Sequence, residues 1–156
     1  MSESLYPVGI VGGGAWGTAL ASVMAQIHPE VLIWARESDV VTAINETHEN
    51  SLFLGGLKLA SNIRATDDLA AMETCGALLI VTPAQHVRAT LVALPQTDAP
   101  LLLCAKGIEA GTEMLMSDIA AEVRPENPLA VLSGPTFAHE VAAGKPTAIT
   151  LATANQ

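Results

Sequence analysis

The stretch Val8-Gly9-Ile10-Val11-Gly12-Gly13-Gly14-Ala15-Trp16-Gly17-Thr18-Ala19-Leu20-Ala21 constrains this chain more than any other. A short apolar run rich in branched residues reads as a buried strand; it breaks into three glycines and then into an alanine-rich segment that reads as a helix. Gly12, Gly14 and Gly17 fit the spacing G-x-G-x-x-G, the fingerprint of a dinucleotide-binding turn. Each glycine answers a different physical demand: Gly12 lets the chain turn sharply out of the strand, Gly14 lets the backbone approach a pyrophosphate, and Gly17 lets the helix lie against the strand. The anion then rests on the free N–H groups and the positive dipole end of the helix. Glycine-rich turns also occur without a ligand, so the fingerprint gains its force from the strand before it and the helix after it.

The rest of the chain reads as a fold built around such a turn. Half of the 156 residues are hydrophobic, 15% are charged and 3% are aromatic, which excludes a disordered chain and calls for a core of Ala, Val, Leu and Ile. Further runs, Glu30-Val31-Leu32-Ile33-Trp34-Ala35, Ala77-Leu78-Leu79-Ile80-Val81, Pro100-Leu101-Leu102-Leu103-Cys104-Ala105 and Leu129-Ala130-Val131-Leu132, read as strands, with a short strand at Ile63-Arg64. Helical segments alternate with them: Trp16 to Ile27, Ser38 or Asp39 (as cap) to Thr47, Gln85 to Leu94, Met114 to Val123 and Phe137 to Ala143. Glu49 to Ala60 reads as a loop, and Thr147 to Ala152 alternates like a final strand. Continuously apolar strands alternating with helices predict an α/β fold, a doubly wound and mainly parallel sheet with helices on both faces.

A net charge of −9 argues against a general nucleic-acid or membrane-surface protein, yet leaves room for an anionic small molecule held by local N–H groups and single cations. No apolar run approaches the ~20 residues of a membrane helix, and residues 1–7 lack the pattern of a signal peptide. A cytoplasmic location is therefore expected. Cys75 and Cys104 show no C-x-x-C spacing and read as reduced, semi-buried thiols. His28, His48, His86 and His139 have no metal-binding spacing, so no metal is expected.

In such sheets, ligands bind beyond the carboxyl ends of the strands, near the point where strand order reverses. The loops expected at that rim are Gly12 to Gly17, Arg36-Glu37-Ser38, Thr82-Pro83, Lys106-Gly107 and Gly134-Pro135-Thr136. Arg36 lies about 20 residues past the glycines, where an acid would favour the ribose of NAD and an arginine suits the 2′-phosphate of NADP. NADP or NAD is the expected cofactor, with NADPH favoured, although Glu37 still suits a ribose hydroxyl. Lys106 ends an apolar strand and is placed to hold a phosphate, polarise a carbonyl or stabilise a developing alkoxide; a lysine snorkelling from a strand end is the plainer account. Thr136 serves either a ligand or the cap of the helix after it. Trp16 and Phe137 either cover the cofactor or simply pack, and His139 and Glu140 read as surface positions.

These same residues carry a resemblance. Gly12-Gly13-Gly14-Ala15-Trp16-Gly17-Thr18-Ala19-Leu20-Ala21, Leu32-Ile33-Trp34-Ala35-Arg36, Ala105-Lys106-Gly107-Ile108-Glu109, Ser133-Gly134-Pro135-Thr136-Phe137-Ala138 and Ala142-Ala143-Gly144-Lys145-Pro146-Thr147-Ala148 resemble, in order, the NAD(P)-dependent glycerol-3-phosphate dehydrogenases of bacterial type. The resemblance implies cofactor contacts at Ala15, Trp16, Arg36, Lys106 and Ala138, beside those that the fingerprint gives to Gly12, Gly14 and Gly17. It implies substrate contacts at Lys106, Gly134 and Thr136, with Lys106 also in the catalytic role. The implied reaction is reversible hydride transfer between NAD(P)H and dihydroxyacetone phosphate, giving sn-glycerol 3-phosphate for phospholipid synthesis. Gly13 and Ala15 stand where many relatives have Ala and Ser, which removes one hydroxyl near the cofactor.

The family's second, helical domain, with its proton-transferring lysine, has no match here. The expectation is thus an N-terminal cofactor-binding domain over 1–156, inactive alone, with a homodimer expected only of the longer enzyme. The readings set against it are the nucleotide domain of a 3-hydroxyacid or 6-phosphogluconate dehydrogenase, and a non-catalytic nucleotide sensor.

Overall fold

The structure, a computed structural model, describes residues 6–153. In chain order the elements are β1 (Val8–Val11), α1 (Ala15–Met24), β2 (Val31–Trp34), α2 (Ser38–Thr47), β3 (Ile63–Thr66), β4 (Ala77–Ile80), α3 (Ala84–Ala93), β5 (Leu101–Leu103), α4 (Met116–Val123), β6 (Leu129–Ser133), α5 (Ala138–Ala142) and β7 (Thr150–Thr153), with a 3-10 turn over Leu69–Thr74 before β4. The strands form one sheet in the order β3-β2-β1-β4-β5-β6-β7. All neighbours run parallel except β6 and β7, which are antiparallel. The order reverses between β1 and β4, so the doubly wound, mainly parallel sheet expected from the sequence is the fold observed.

Alternation along each strand divides the core between two faces. Ile10, Val31, Ile33 and Leu79 pack with Leu20 and Ala21 of α1 and Val40 and Ile44 of α2. Val11, Leu78, Ile80, Leu101 and Leu103 point the other way, onto Val87 and Leu91 of α3 and Ile119 and Ala120 of α4. Ile10, Ile33, Ile44, Leu78, Ile80, Leu91, Leu101 and Ile119 are among the largest fully buried side chains, each worth about 1.5–3 kcal/mol relative to exposure. A third, smaller cluster joins Ala19 of α1, Val141 of α5 and Leu54 of the 48–62 loop. Cys75 and Cys104 are free and buried.

Several element boundaries differ from the sequence reading. The first helix ends at Met24 because the amides of Gln26 and Ile27 bond three residues back, to Val23 and Met24, tightening the last turn. Neither Ser38 nor Asp39 caps α2; Glu37 is the cap residue, and its side chain makes no capping bond. The last strand begins at Thr150, not Thr147. Thr150 pairs with Ser133, the end of β6, beyond which Gly134-Pro135 turns away and Pro135 has no N–H to continue the ladder. β7 is exposed along its whole length.

Candidate functional site

The site begins where β1 ends. Gly12 has φ +134°, and a Cβ there would lie 2.9 Å from the Val81 carbonyl carbon. At Gly17 a Cβ would stand 1.9 Å from the Gly12 carbonyl oxygen, so α1 can rise this close to the turn only with glycine there. Gly14 is different: a Cβ would meet nothing within 4 Å, because the position lines an open cleft. No described residue accepts a hydrogen bond from the amide N–H groups of Gly14, Ala15, Trp16 and Gly17. Four unpaired donors at the positive end of α1, with no side chain over Gly14, suit an anion.

The cleft beside this turn has a volume of about 580 Å³ and runs from Arg36 and Glu37, past Trp34, Phe53 and Leu69, to Thr82, Pro83 and His86. A second cleft of about 330 Å³ shares Trp16, Val81, Thr82 and Pro83 with the first and extends to Lys106, Thr136, Phe137 and Ala138. Together they make one groove across the carboxyl ends of β1, β2, β4 and β5 at the switch point of the sheet. Of the seven Lys and Arg residues, Arg36 and Lys106 are the two that line it, one towards each end. Arg36 is exposed and makes no hydrogen bond or ion pair with a described residue, so its guanidinium is available to a ligand. Lys106 Nζ donates to the Gly134 carbonyl oxygen at 2.9 Å, tying the loop after β5 to the loop after β6. An ammonium has three donors, so two remain.

The structure thus brings Gly12, Gly14, Ala15, Trp16, Gly17, Arg36, Lys106, Thr136 and Ala138 onto one groove. Gly134 does not line the groove; its carbonyl accepts from Lys106, and it has a packing reason of its own, since a Cβ there would come within 2.6 Å of the Ala148 carbonyl oxygen. Thr136 does not cap α5. Phe137 occupies the cap position with no side-chain bond, and Thr136 bonds through its amide to the Gly134 carbonyl, leaving its side chain on the groove. Phe137 is 73% exposed. Trp16 packs against two of the core clusters while facing both clefts, so it packs and lines at once. Glu140 approaches Lys145 at 3.9 Å on the surface. Cys104 also lines the second cleft, but burial pushes its thiol up to about 12, which removes it as a nucleophile at neutral pH.

Two residues gain a role that the sequence did not assign: Thr82, placed only as part of a rim loop, and Asn50, not singled out at all. Thr82 is 6% exposed, lines both clefts, and its buried Oγ1 has no hydrogen-bond partner. A buried hydroxyl left unpaired at the join of two clefts still has a donor and an acceptor to offer. The signal in the sequence is its place, directly after the apolar run Ala77-Leu78-Leu79-Ile80-Val81 and before a proline. Asn50, inside a segment that reads as a plain loop, is wholly buried and bonds the glycine turn; nothing in its sequence neighbourhood announces this.

Residues 7–156 match the family model described as the N-terminus of NAD-dependent glycerol-3-phosphate dehydrogenase. The chain belongs to this family. It is 58% identical over 147 residues to the glycerol-3-phosphate dehydrogenase [NAD(P)+] 1 of Sphingopyxis alaskensis, covering 94% of this chain and 44% of that one. It is 54% identical over 145 residues to the corresponding protein of Erythrobacter litoralis, with 93% and 44% covered. The crystal structure of glycerol-3-phosphate dehydrogenase from Coxiella burnetii superposes with a TM-score of 0.88 at 34% identity, over 96% of this chain and 47% of that one. The chain therefore spans somewhat under half the length of these glycerol-3-phosphate dehydrogenases, the half that holds the NAD(P)-binding fold.

Proposed function

We propose that this chain is the cofactor-binding part of an enzyme that reversibly reduces dihydroxyacetone phosphate to sn-glycerol 3-phosphate in the cytoplasm, feeding phospholipid synthesis. The observation that carries the reading is a row of unpaired N–H groups flanked by the groove's two cations. The N–H groups of Gly14 to Gly17 would hold the pyrophosphate. Arg36 would take a 2′-phosphate, which favours NADPH, while Glu37 beside it suits the ribose hydroxyl of NADH.

At the other end, Lys106 would bind the phosphate or the ketone oxygen of the substrate, with Gly134 and Thr136 completing the contact. Ala15, Trp16 and Ala138 would line the cofactor, and the Thr82 hydroxyl would bond it where the clefts meet. The bound cofactor supplies the hydride. Lys106 stabilises negative charge as it develops on the substrate oxygen, and the proton that oxygen needs comes from the remainder of the longer enzyme. By itself the chain would bind nucleotide and turn over little or nothing, and a homodimer belongs to the longer enzyme.

The test is a calorimetric titration of this chain with NADPH and NADH, alongside Trp16 and Trp34 fluorescence. NADPH is expected to bind more tightly, and Arg36→Ala to bring its affinity down to that of NADH. Equal affinities in the unaltered chain would overturn the assignment of Arg36. Oxidation of NADPH by this chain with dihydroxyacetone phosphate would overturn the division of labour.

A further inference from the structure

We infer that Asn50 and Thr18 form a positioning pair that sets the orientation of the phosphate-binding amides and ties them to the wall of the groove. The inference rests on the nucleotide reading above and concerns residues outside the contacts named there. Asn50 lies just beyond α2, far from the turn in sequence, and is wholly buried, as is Thr18 in the first turn of α1. Asn50 Nδ2 donates to the Gly13 carbonyl oxygen at 2.8 Å and to Thr18 Oγ1 at 2.8 Å. Thr18 Oγ1 passes its own proton on, donating to the Gly14 carbonyl oxygen at 2.9 Å. The chemistry closes without a leftover donor: the amide has two N–H groups and uses both, and the hydroxyl has one O–H and uses it.

The consequence follows from peptide geometry. Every described peptide bond is trans, so the N–H of each peptide unit points away from its C=O. With the Gly13 carbonyl held by Asn50, the Gly14 N–H is turned to the opposite side. The Gly14 carbonyl accepts both the Thr18 amide at 3.0 Å and the Thr18 hydroxyl, so the Ala15 N–H is turned likewise, with the hydroxyl reinforcing a helical bond. These are two of the four unpaired amides at the cleft. No backbone N–H of a described residue bonds the Gly13 carbonyl, so without the pair the peptide between adjacent glycines has the freedom to rotate, and binding would have to supply the ordering that Asn50 now supplies in advance.

The other half of the Asn50 amide reaches the groove wall. Asn50 Oδ1 accepts the Phe53 N–H at 3.3 Å, and its backbone carbonyl accepts the Leu54 N–H at 2.8 Å. Phe53 lines the first cleft, and Leu54 packs on α1 and α5 in the small core cluster that includes Ala138. The amide cannot be reversed, since that would set its oxygen against the Gly13 oxygen. An aspartate of the same shape fails for the same reason.

The experiment compares two fragments of the cofactor on this chain. ADP carries the diphosphate that the turn would hold, and 2′-AMP carries only the phosphate assigned to Arg36. Asn50→Asp, Asn50→Ala and Thr18→Val are each expected to weaken NADPH and ADP by about tenfold, the scale of one hydrogen bond, while 2′-AMP affinity stays unchanged. Thr18→Ser keeps the hydroxyl and should retain wild-type affinity for all three. Equal weakening of ADP and 2′-AMP by a folded variant would show a merely structural role and overturn the inference. Unchanged ADP binding in Thr18→Val would overturn it as well, even if both Asn50 variants fail to fold. If the unaltered chain binds neither ADP nor 2′-AMP, the nucleotide reading itself falls and takes this role with it.

Discussion

A single methyl group added at Gly17 sets two physical rules against each other. Helix propensity says that Gly→Ala inside a helix stabilises by about 1 kcal/mol. The packing of α1 on the turn says the opposite. The new Cβ would lie 1.9 Å from the Gly12 carbonyl oxygen, where real Cβ atoms essentially never come under 3.0 Å. The helix must retreat by the difference, 1.1 Å. The atom in the way is backbone, and Gly12 is itself held by the Trp34 carbonyl and crowded by Val81. Thr18, Ala19, Leu20 and Ala21 are buried on α1 and move with it. Overpacking of this kind costs about 1–3 kcal/mol, and the rigid obstacle places Gly17→Ala at the top of that range, for a net loss of about 2 kcal/mol.

For a chain of this size that loss lowers Tm by about 4–8 °C. Gly14→Ala is the control. Its methyl meets nothing within 4 Å, and φ −72°, ψ −175° is open to any residue, so the cost is limited to a poorer cap, under about 1 kcal/mol. Its effect falls on the cleft. Urea denaturation and NADPH titration of both variants should therefore separate: Gly17→Ala loses stability first, while Gly14→Ala loses affinity with stability nearly intact. A Gly17→Ala variant as stable as the unaltered chain, or more so, would refute the packing argument.

Arg124→Met should cost about 3 kcal/mol in urea denaturation, because Arg124 is 7% exposed and its guanidinium donates to the carbonyls of Leu91, Leu94 and Pro95 at the end of α3, and those carbonyls would lose their donor. Glu109 is held below the usual carboxylate range chiefly by its hydrogen bonds from Arg88, then by Thr112. A carboxylate whose folded pKa is lowered adds stability above its unfolded value and loses it as pH falls through the folded one. The stability of the unaltered chain should accordingly decline from about pH 5 downward; Glu109→Gln should flatten that part of the curve, measured as urea midpoint against pH.

Local pattern was enough for most of this architecture. Branched apolar runs such as Ala77-Leu78-Leu79-Ile80 are buried on both faces, and a parallel sheet between two helix layers is the arrangement that buries them. The glycine turn was legible for the same reason, since backbone contact at Gly12 and Gly17 leaves no room for any other residue. Arg36 and Lys106 were legible because a charge at the end of an apolar strand must emerge at the sheet's rim. Boundaries were read less well where neighbours decide them: β7 starts at Thr150 because β6 ends at Ser133, a fact held by a distant strand.

The sequence by itself determined the fold, the family and the rim on which the groove lies, because each follows from periodicity or from short motifs whose residues are adjacent in the chain. Only the tertiary structure decided which of those residues act together. Asn50 reaches the Gly13 carbonyl across 37 positions, Lys106 reaches the Gly134 carbonyl across 28, and Thr82 keeps a bare hydroxyl where two clefts meet. A hydrogen bond depends on where two groups stand in space, and for groups this far apart in the chain that position is set only when the whole sheet has closed around them.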